Sequence, residues 1–172
     1  MIIFAVIAFI NFIISGILGC IIFLKGAEKT KSKFFSFYLF TISLWNFGYY
    51  LWQISVTGKS AMFWCVFLMI WAILIPLFYI NFVFDFLNID KLKKYRRLNY
   101  LAYFLTFVFI VLDFTDLFIK NVDEKLYLNY WPKAGPLYFL FLIFFAFYIF
   151  LGFYLLIKEY FREKRIGNQI RQ

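Results

Sequence analysis

Asp113 and Asp116 stand three residues apart at the end of an apolar run, a spacing that sets both on one face of a helix and suits an acid–base pair. Such a pair needs a nucleophile, a metal or a phosphate cradle beside it, and the sequence supplies none. Histidine is absent from the whole chain. That removes haem-ligating pairs, His-rich zinc sites, Ser–His and Cys–His nucleophiles and a phosphorylatable histidine. Cys20 and Cys65 fall near opposite membrane faces in the topology derived below, too far apart to bridge, and read as small apolar packing residues. Gly16 and Gly19 read as helix-packing glycines. No catalytic residue, metal ligand or cofactor is expected, and no enzymatic activity within this chain.

A second polar set recurs at three- and four-residue steps: Ser43, Asn46, Tyr50, Gln53 and Thr57. That spacing places them along one helical face. Two readings stand side by side. The stripe lines a sensory or ligand pocket, or it is interhelical hydrogen-bond glue, each bond contributing about 1 kcal/mol or less. The candidate pocket residues are Asn46, Tyr50, Gln53, Asp113 and Asp116.

The elements that must position these groups are membrane spans. Of 172 residues, 65% are hydrophobic, 27% aromatic and only 16% charged, which points to a bilayer as solvent. A helix needs roughly 20 mostly apolar residues to cross the hydrocarbon core, and five stretches qualify: residues 2–24, 34–56, 61–86, 99–118 and 135–157. The fold expected is an all-α polytopic membrane helix bundle forming a single domain of residues 1–172. The N-terminus lacks a basic region and a small-residue cleavage site, so the first span is expected to be retained. The net charge of +9 could suggest a nucleic-acid partner. The basic residues instead fall between apolar runs rather than on an amphipathic face, so nucleic acid is not expected as a partner.

Fourteen of the 18 lysines and arginines lie in the loops after the first and third spans and in the tail. The positive-inside rule then puts the N-terminus outside and the C-terminus inside, in the cytoplasmic (inner) membrane. The outer segment from Lys120 to Ala134 carries Asp123 and Glu124, then Tyr127, Tyr130 and Trp131. It is read as a loop resting on the outer leaflet through its aromatics, or as a ligand-contacting cap over the bundle.

Depth sharpens the candidates. With the fourth span entering at Asn99, Asp113 lies about 21 Å along it at 1.5 Å per residue, still inside the outer leaflet. An intramembrane carboxylate is a functional hypothesis by default. No Lys or Arg matches its depth, so Asn, Tyr or water is expected to serve it. Pro76, at mid-depth in the third span, removes a backbone hydrogen bond and is expected to kink the helix. Asn81 and Asp85 follow near the inner boundary, where Asp85 is expected to snorkel or pair with the basic run that begins at Lys91.

With the spans in place, four stretches resemble the N-terminal seven-transmembrane sensor region of bacterial histidine kinases. They are residues 35–49, with Trp45-Asn46-Phe47-Gly48-Tyr49 at their end; Phe63-Trp64 with Pro76 and Phe78-Tyr79 after it; Asp113-Phe114-Thr115-Asp116-Leu117-Phe118; and Gly135-Pro136-Leu137-Tyr138 leading to Arg165-Ile166-Gly167-Asn168-Gln169-Ile170-Arg171. The resemblance implies a signal-input module of a two-component system, with C-terminal cytoplasmic signalling domains as partners and a homodimer formed through them. It implies a small-molecule or lipid-phase stimulus alongside the lipid bilayer. The chain departs from the family in ending after the fifth helix, which implies a fragment of the sensor region. It also lacks the histidine that often follows a Thr-Asn-like pair in the fourth helix. The alternative is a component of a membrane transporter, supported by the intramembrane acids, the polar stripe and Pro76. Against it, broken helices and paired repeats are not evident.

Overall fold

The computed structural model describes residues 2–26, 30–89, 92–125 and 128–170, with side chains for 3–26, 33–89, 92–123 and 130–164. Lys91, Tyr127 and Arg171 lie outside the described residues, and the side chains of Glu124 and Arg165 outside the described side chains. Among the described residues five helices carry the fold: α1 (Ile2–Lys25), α2 (Thr30–Gln53), α3 (Gly58–Phe86), α4 (Lys93–Asp113) and α5 (Tyr138–Ile170). Between α4 and α5 stand two antiparallel strands, β1 (Ile119–Lys125) and β2 (Leu128–Ala134).

Helix α3 is the hub, packed against α2, α4, α5 and both strands, while α1 packs chiefly on α2. The α1–α2 approach is close because glycines face it. A Cβ at Gly16 would sit 3.0 Å from Ser43 Oγ, and one at Gly19 would sit 3.0 Å from the Phe40 ring. Aromatic side chains fill the remaining contacts: Phe12 on Phe47 at 4.9 Å, Phe35 on Phe82 at 4.9 Å and Phe109 on Phe144 at 5.3 Å between ring centroids. Many large apolar side chains point outward, among them Phe4, Ile14, Phe104, Phe107, Phe150 and Phe153. A surface of that kind in water would be an aggregation hazard, whereas in lipid it is a solvated one. Helices α1, α3 and α5 are long and apolar enough to cross a membrane.

Several boundaries differ from the sequence reading, each for a local reason. Helix α4 starts at Lys93 rather than Asn99, since Lys and Arg are good helix formers although they end an apolar run. It stops at Asp113, where Thr115 turns the chain by bonding the Leu112 carbonyl through both N–H and hydroxyl (2.9 and 2.6 Å). Helix α2 stops at Gln53, so Thr57 leaves the stripe and instead caps α3, its Oγ1 accepting the Ser60 N–H at 3.3 Å. Pro136 lies in a turn just ahead of α5 rather than in its first turn. Helix α3 continues through the fully buried Pro76. It ends in a Schellman turn, with Asn88 at φ 54° and Ile89 N–H donating to the Phe84 carbonyl at 3.0 Å.

The helical bundle carries one non-helical element that the sequence reading took as a loop: the segment between α4 and α5 is a β-hairpin packed on the end of the bundle. Trp52 Nε1 donates to the Tyr130 carbonyl at 2.7 Å, the Tyr130 hydroxyl donates to the Val56 carbonyl at 3.0 Å, and Trp131 packs edge-on against Trp52. Pro132, opposite Val122, is tolerated because each strand of a two-stranded sheet has a free edge.

Candidate functional site

Asp113 is the last residue of α4 and is 1% exposed. Neither carboxyl oxygen has a hydrogen-bond partner among the described residues. The Asn or Tyr expected from the sequence to serve it is not supplied among the described residues. Being at a helix C-terminus, the carboxyl gains nothing from the helix dipole, whose negative end lies there.

The turn that follows holds this carboxyl in place. Phe118, fully buried, wedges against Tyr138 and Phe141 with ring centroids 5.5 Å away in each case. The backbones of residues 117–118 and 135–137 run against one another, with Gly135 N–H donating to the Phe118 carbonyl at 2.8 Å and Leu137 N–H to the Leu117 carbonyl at 2.9 Å. A Cβ at Gly135 would collide with the carbonyl groups of Leu117 and Asp116. Glycine is therefore required there by close approach.

The two carboxylates do not share a helical face, which corrects the acid–base spacing read from the sequence. The helix ends at Asp113, and Asp116 lies in the turn beyond it, exposed. Thr106, seven residues before Asp113 and hence on the same face of α4, is also buried with its hydroxyl unpartnered among the described residues. Sequence reading passed over it, although the spacing to Asp113 was available.

The α2 stripe divides by function. Ser43 Oγ donates across to the Phe12 carbonyl of α1 at 2.8 Å, which is glue. Tyr50 is half-buried against Phe9 at 5.0 Å. Asn46 is buried and donates to the Ile42 carbonyl of its own helix at 2.8 Å. Gln53 is buried too, and its Oε1 has no partner among the described residues. Gln53 stands next to Trp52, which anchors the hairpin, so it lies at the hairpin end of α2.

At the opposite end of α3 a different polar cluster forms. Asn81, 4% exposed, donates through Nδ2 to the Leu77 carbonyl at 2.8 Å. Its Oδ1 accepts from Asn99 Nδ2 at 2.9 Å and from the Tyr103 hydroxyl at 3.2 Å. Among the described residues no cluster of metal-ligating side chains is found, and both cysteines are free.

The model of a family described as the N-terminal 7TM region of histidine kinase matches residues 7–171. No curated protein matches the chain, and no solved structure does.

Proposed function

The chain belongs to the N-terminal 7TM region of histidine kinase, and from that premise we propose that it is the signal-input domain of a bacterial sensor kinase. The family is a membrane-embedded sensor region and is not itself catalytic. In this reading the chain sits in the cytoplasmic membrane with its N-terminus outside. It feeds cytoplasmic signalling domains that follow it and that dimerise.

The observation that carries the sensing site is the buried carboxyl of Asp113, which has no hydrogen-bond partner among the described residues. An unmet buried polar group costs about 1–3 kcal/mol. A stimulus that supplies its missing donor, or moves α4 so that water does, changes the balance between two bundle states by up to that amount. Gln53, Asn46 and Tyr50 on α2 and the exposed Asp116 complete the proposed pocket near the hairpin. Helix α5 is the output element. Its 33 residues extend about 50 Å at 1.5 Å per residue, well beyond a hydrocarbon core of about 30 Å. It is gripped by α3 at Gly152, where a Cβ would run into the Tyr79 ring, and its end carries Lys158, Arg162 and Lys164 toward the output domains.

The test replaces Asp113 by Asn, and separately Gln53 by Leu, in the full-length protein and follows output autophosphorylation across stimulus conditions. Loss of stimulus dependence with normal expression is expected for Asp113→Asn. An unaltered response in both variants would remove the pocket from the proposal. A transporter component is the second reading, favoured by the same buried acid. Asp113-dependent solute flux in proteoliposomes would select it instead.

A further inference from the structure

Helix α5 meets the bundle along one stripe. Phe141, Phe144, Tyr148, Gly152 and Leu155 are its buried residues, at three- and four-residue steps. Its backbone approaches α3 closely and no other described helix to a like degree. From Ile157 to Lys164 the side chains are exposed, Glu159 in part, so the described bundle leaves the basic end of α5 uncovered.

The contacts along the stripe differ in kind. At the hairpin end the Phe141 ring lies against Phe118 and Phe109, with centroids 5.5 and 5.9 Å away, and Phe118 belongs to the turn that follows Asp113. Farther along, Gly152 forms a notch for Tyr79 of α3. A Cβ there would stand 2.9 Å from Tyr79 Cζ and 3.0 Å from its hydroxyl. Tyr79 also packs on Tyr38 of α2 at 5.7 Å and on Phe153 at 5.9 Å between centroids. Its hydroxyl is buried with no hydrogen-bond partner among the described residues, so packing alone makes this contact. One turn before the notch, the Tyr148 hydroxyl donates to the Leu98 carbonyl of α4 at 2.8 Å.

The notch decides which motion is open to α5. A slide along the axis replaces Gly152 by a neighbour with a side chain and drives that side chain into the Tyr79 ring. A tilt about Gly152 keeps the glycine in the notch and breaks no hydrogen bond there. The helix is also stiff enough to transmit a tilt, since it runs unbroken from Tyr138 to Ile170 and holds no proline. Its arms are nearly equal: Phe141 to Gly152 spans about 16 Å and Gly152 to Lys164 about 18 Å, at 1.5 Å per residue. A displacement of about 1 Å at Phe141 is a tilt of about 3.5°, which moves Tyr148 by only about 0.4 Å. The Tyr148 bond survives a change of that size.

We propose that α5 is a lever with its fulcrum where Gly152 sits on Tyr79. The turn that holds Asp113 drives the hairpin end, and the basic end moves the opposite way by a similar distance. The lever rests on the signal-input reading and deepens it: a change at Asp113 reaches the basic end as a tilt rather than a piston stroke.

Spin–spin distance measurements on the full chain in nanodiscs test this, with Cys20→Ser and Cys65→Ala removing the native thiols. Labels at Val111 and Ile143 read the hairpin end, and labels at Leu92 and Glu163 read the basic end; all four positions are exposed. Phe141→Trp pushes the hairpin end outward by overpacking, and Phe141→Ala lets it fall inward. The Trp variant is expected to lengthen the first distance by about 1–2 Å and shorten the second by a similar amount, and the Ala variant to reverse both signs. Adding Tyr79→Leu, which withdraws the ring from the notch, is expected to preserve the first shift and reduce the second at least about twofold. A basic end that stays still while the hairpin end moves makes Gly152 a flexible hinge and overturns the proposal. Shifts of the same sign at both ends mean a rigid translation and overturn it as well. No shift at either end in both Phe141 variants means that α5 is clamped, with the same consequence. None of these distances depends on kinase output or on the charge of Asp113, so failure here leaves the sensing site standing, and an unaltered response in Asp113→Asn leaves the lever standing.

Discussion

At one end of the α3–α4 pair, Asn81 gathers bonds from Asn99 and Tyr103 and gives its own amide to Leu77. At the other end, Asp113 is buried on the same pair of helices with neither oxygen met among the described residues. Both are polar groups in an apolar bundle, so the same desolvation cost applies to each. Asn81 recovers that cost locally, and its bonds to Asn99 and Tyr103 pin the register of two antiparallel helices. Asp113 does not recover it, and its position is imposed from outside by the crossed backbones at Gly135 and by the Phe118 wedge. A polar group that holds a fold together and one that the fold holds in place are thus distinguishable by where their hydrogen bonds go.

The largest effect expected falls on the element that imposes the Asp113 geometry. Gly135→Val puts side-chain atoms into the Leu117 carbonyl, and backbone cannot move aside as a flexible side chain would. A loss of about 3 kcal/mol is expected, at the upper end for overpacking, read by unfolding in mixed detergent–SDS micelles. A loss under about 1 kcal/mol would mean that the turn is not rigid and that Asp113 is free to find its own partner.

Next in size, and opposite in sign, is Asp113→Ala. Removing an unmet buried carboxyl should outweigh the small cavity left behind, for a gain of about 2 kcal/mol together with loss of signalling response. Destabilisation in the same assay would reveal a bonded carboxyl and collapse the contrast between the two ends.

The sequence makes these ends unequally legible. Asp113 is conspicuous as a lone acid in an apolar run, but its lack of a partner depends on where α4 stops, and that is decided by Thr115 rather than by hydropathy. The long apolar runs of α1, α3 and α5 announce helices by composition alone, and the glycines of α1 announce its packing face. The hairpin is hidden because Pro132 and the charged residues of β1 spoil alternation, and because its anchor, Trp52 to Tyr130, joins residues 78 apart. The Asn81 cluster is hidden for a related reason. Asn99 and Tyr103 lie across an antiparallel turn, so no periodicity within one helix connects them to Asn81.

Two substitutions at the networked end probe its redundancy. Asn81→Leu strands the Asn99 amide and the Tyr103 hydroxyl together, with an expected loss of about 1.5 kcal/mol. Tyr103→Phe should cost much less, about 0.5 kcal/mol, in line with single interhelical bonds in membranes. The reason is that Asn81 Oδ1 keeps its shorter bond from Asn99 when the 3.2 Å bond from Tyr103 goes. The exposed Tyr103 ring remains in place to cover the same surface. Thermal unfolding of the two single variants and the double variant checks this. With Asn81 already Leu, adding Tyr103→Phe should cost nothing further, because the bond it would break is already gone. If the two losses simply add, the hydroxyl was never bonded through Asn81, and the contrast with Asp113 narrows to the Asn81–Asn99 pair alone.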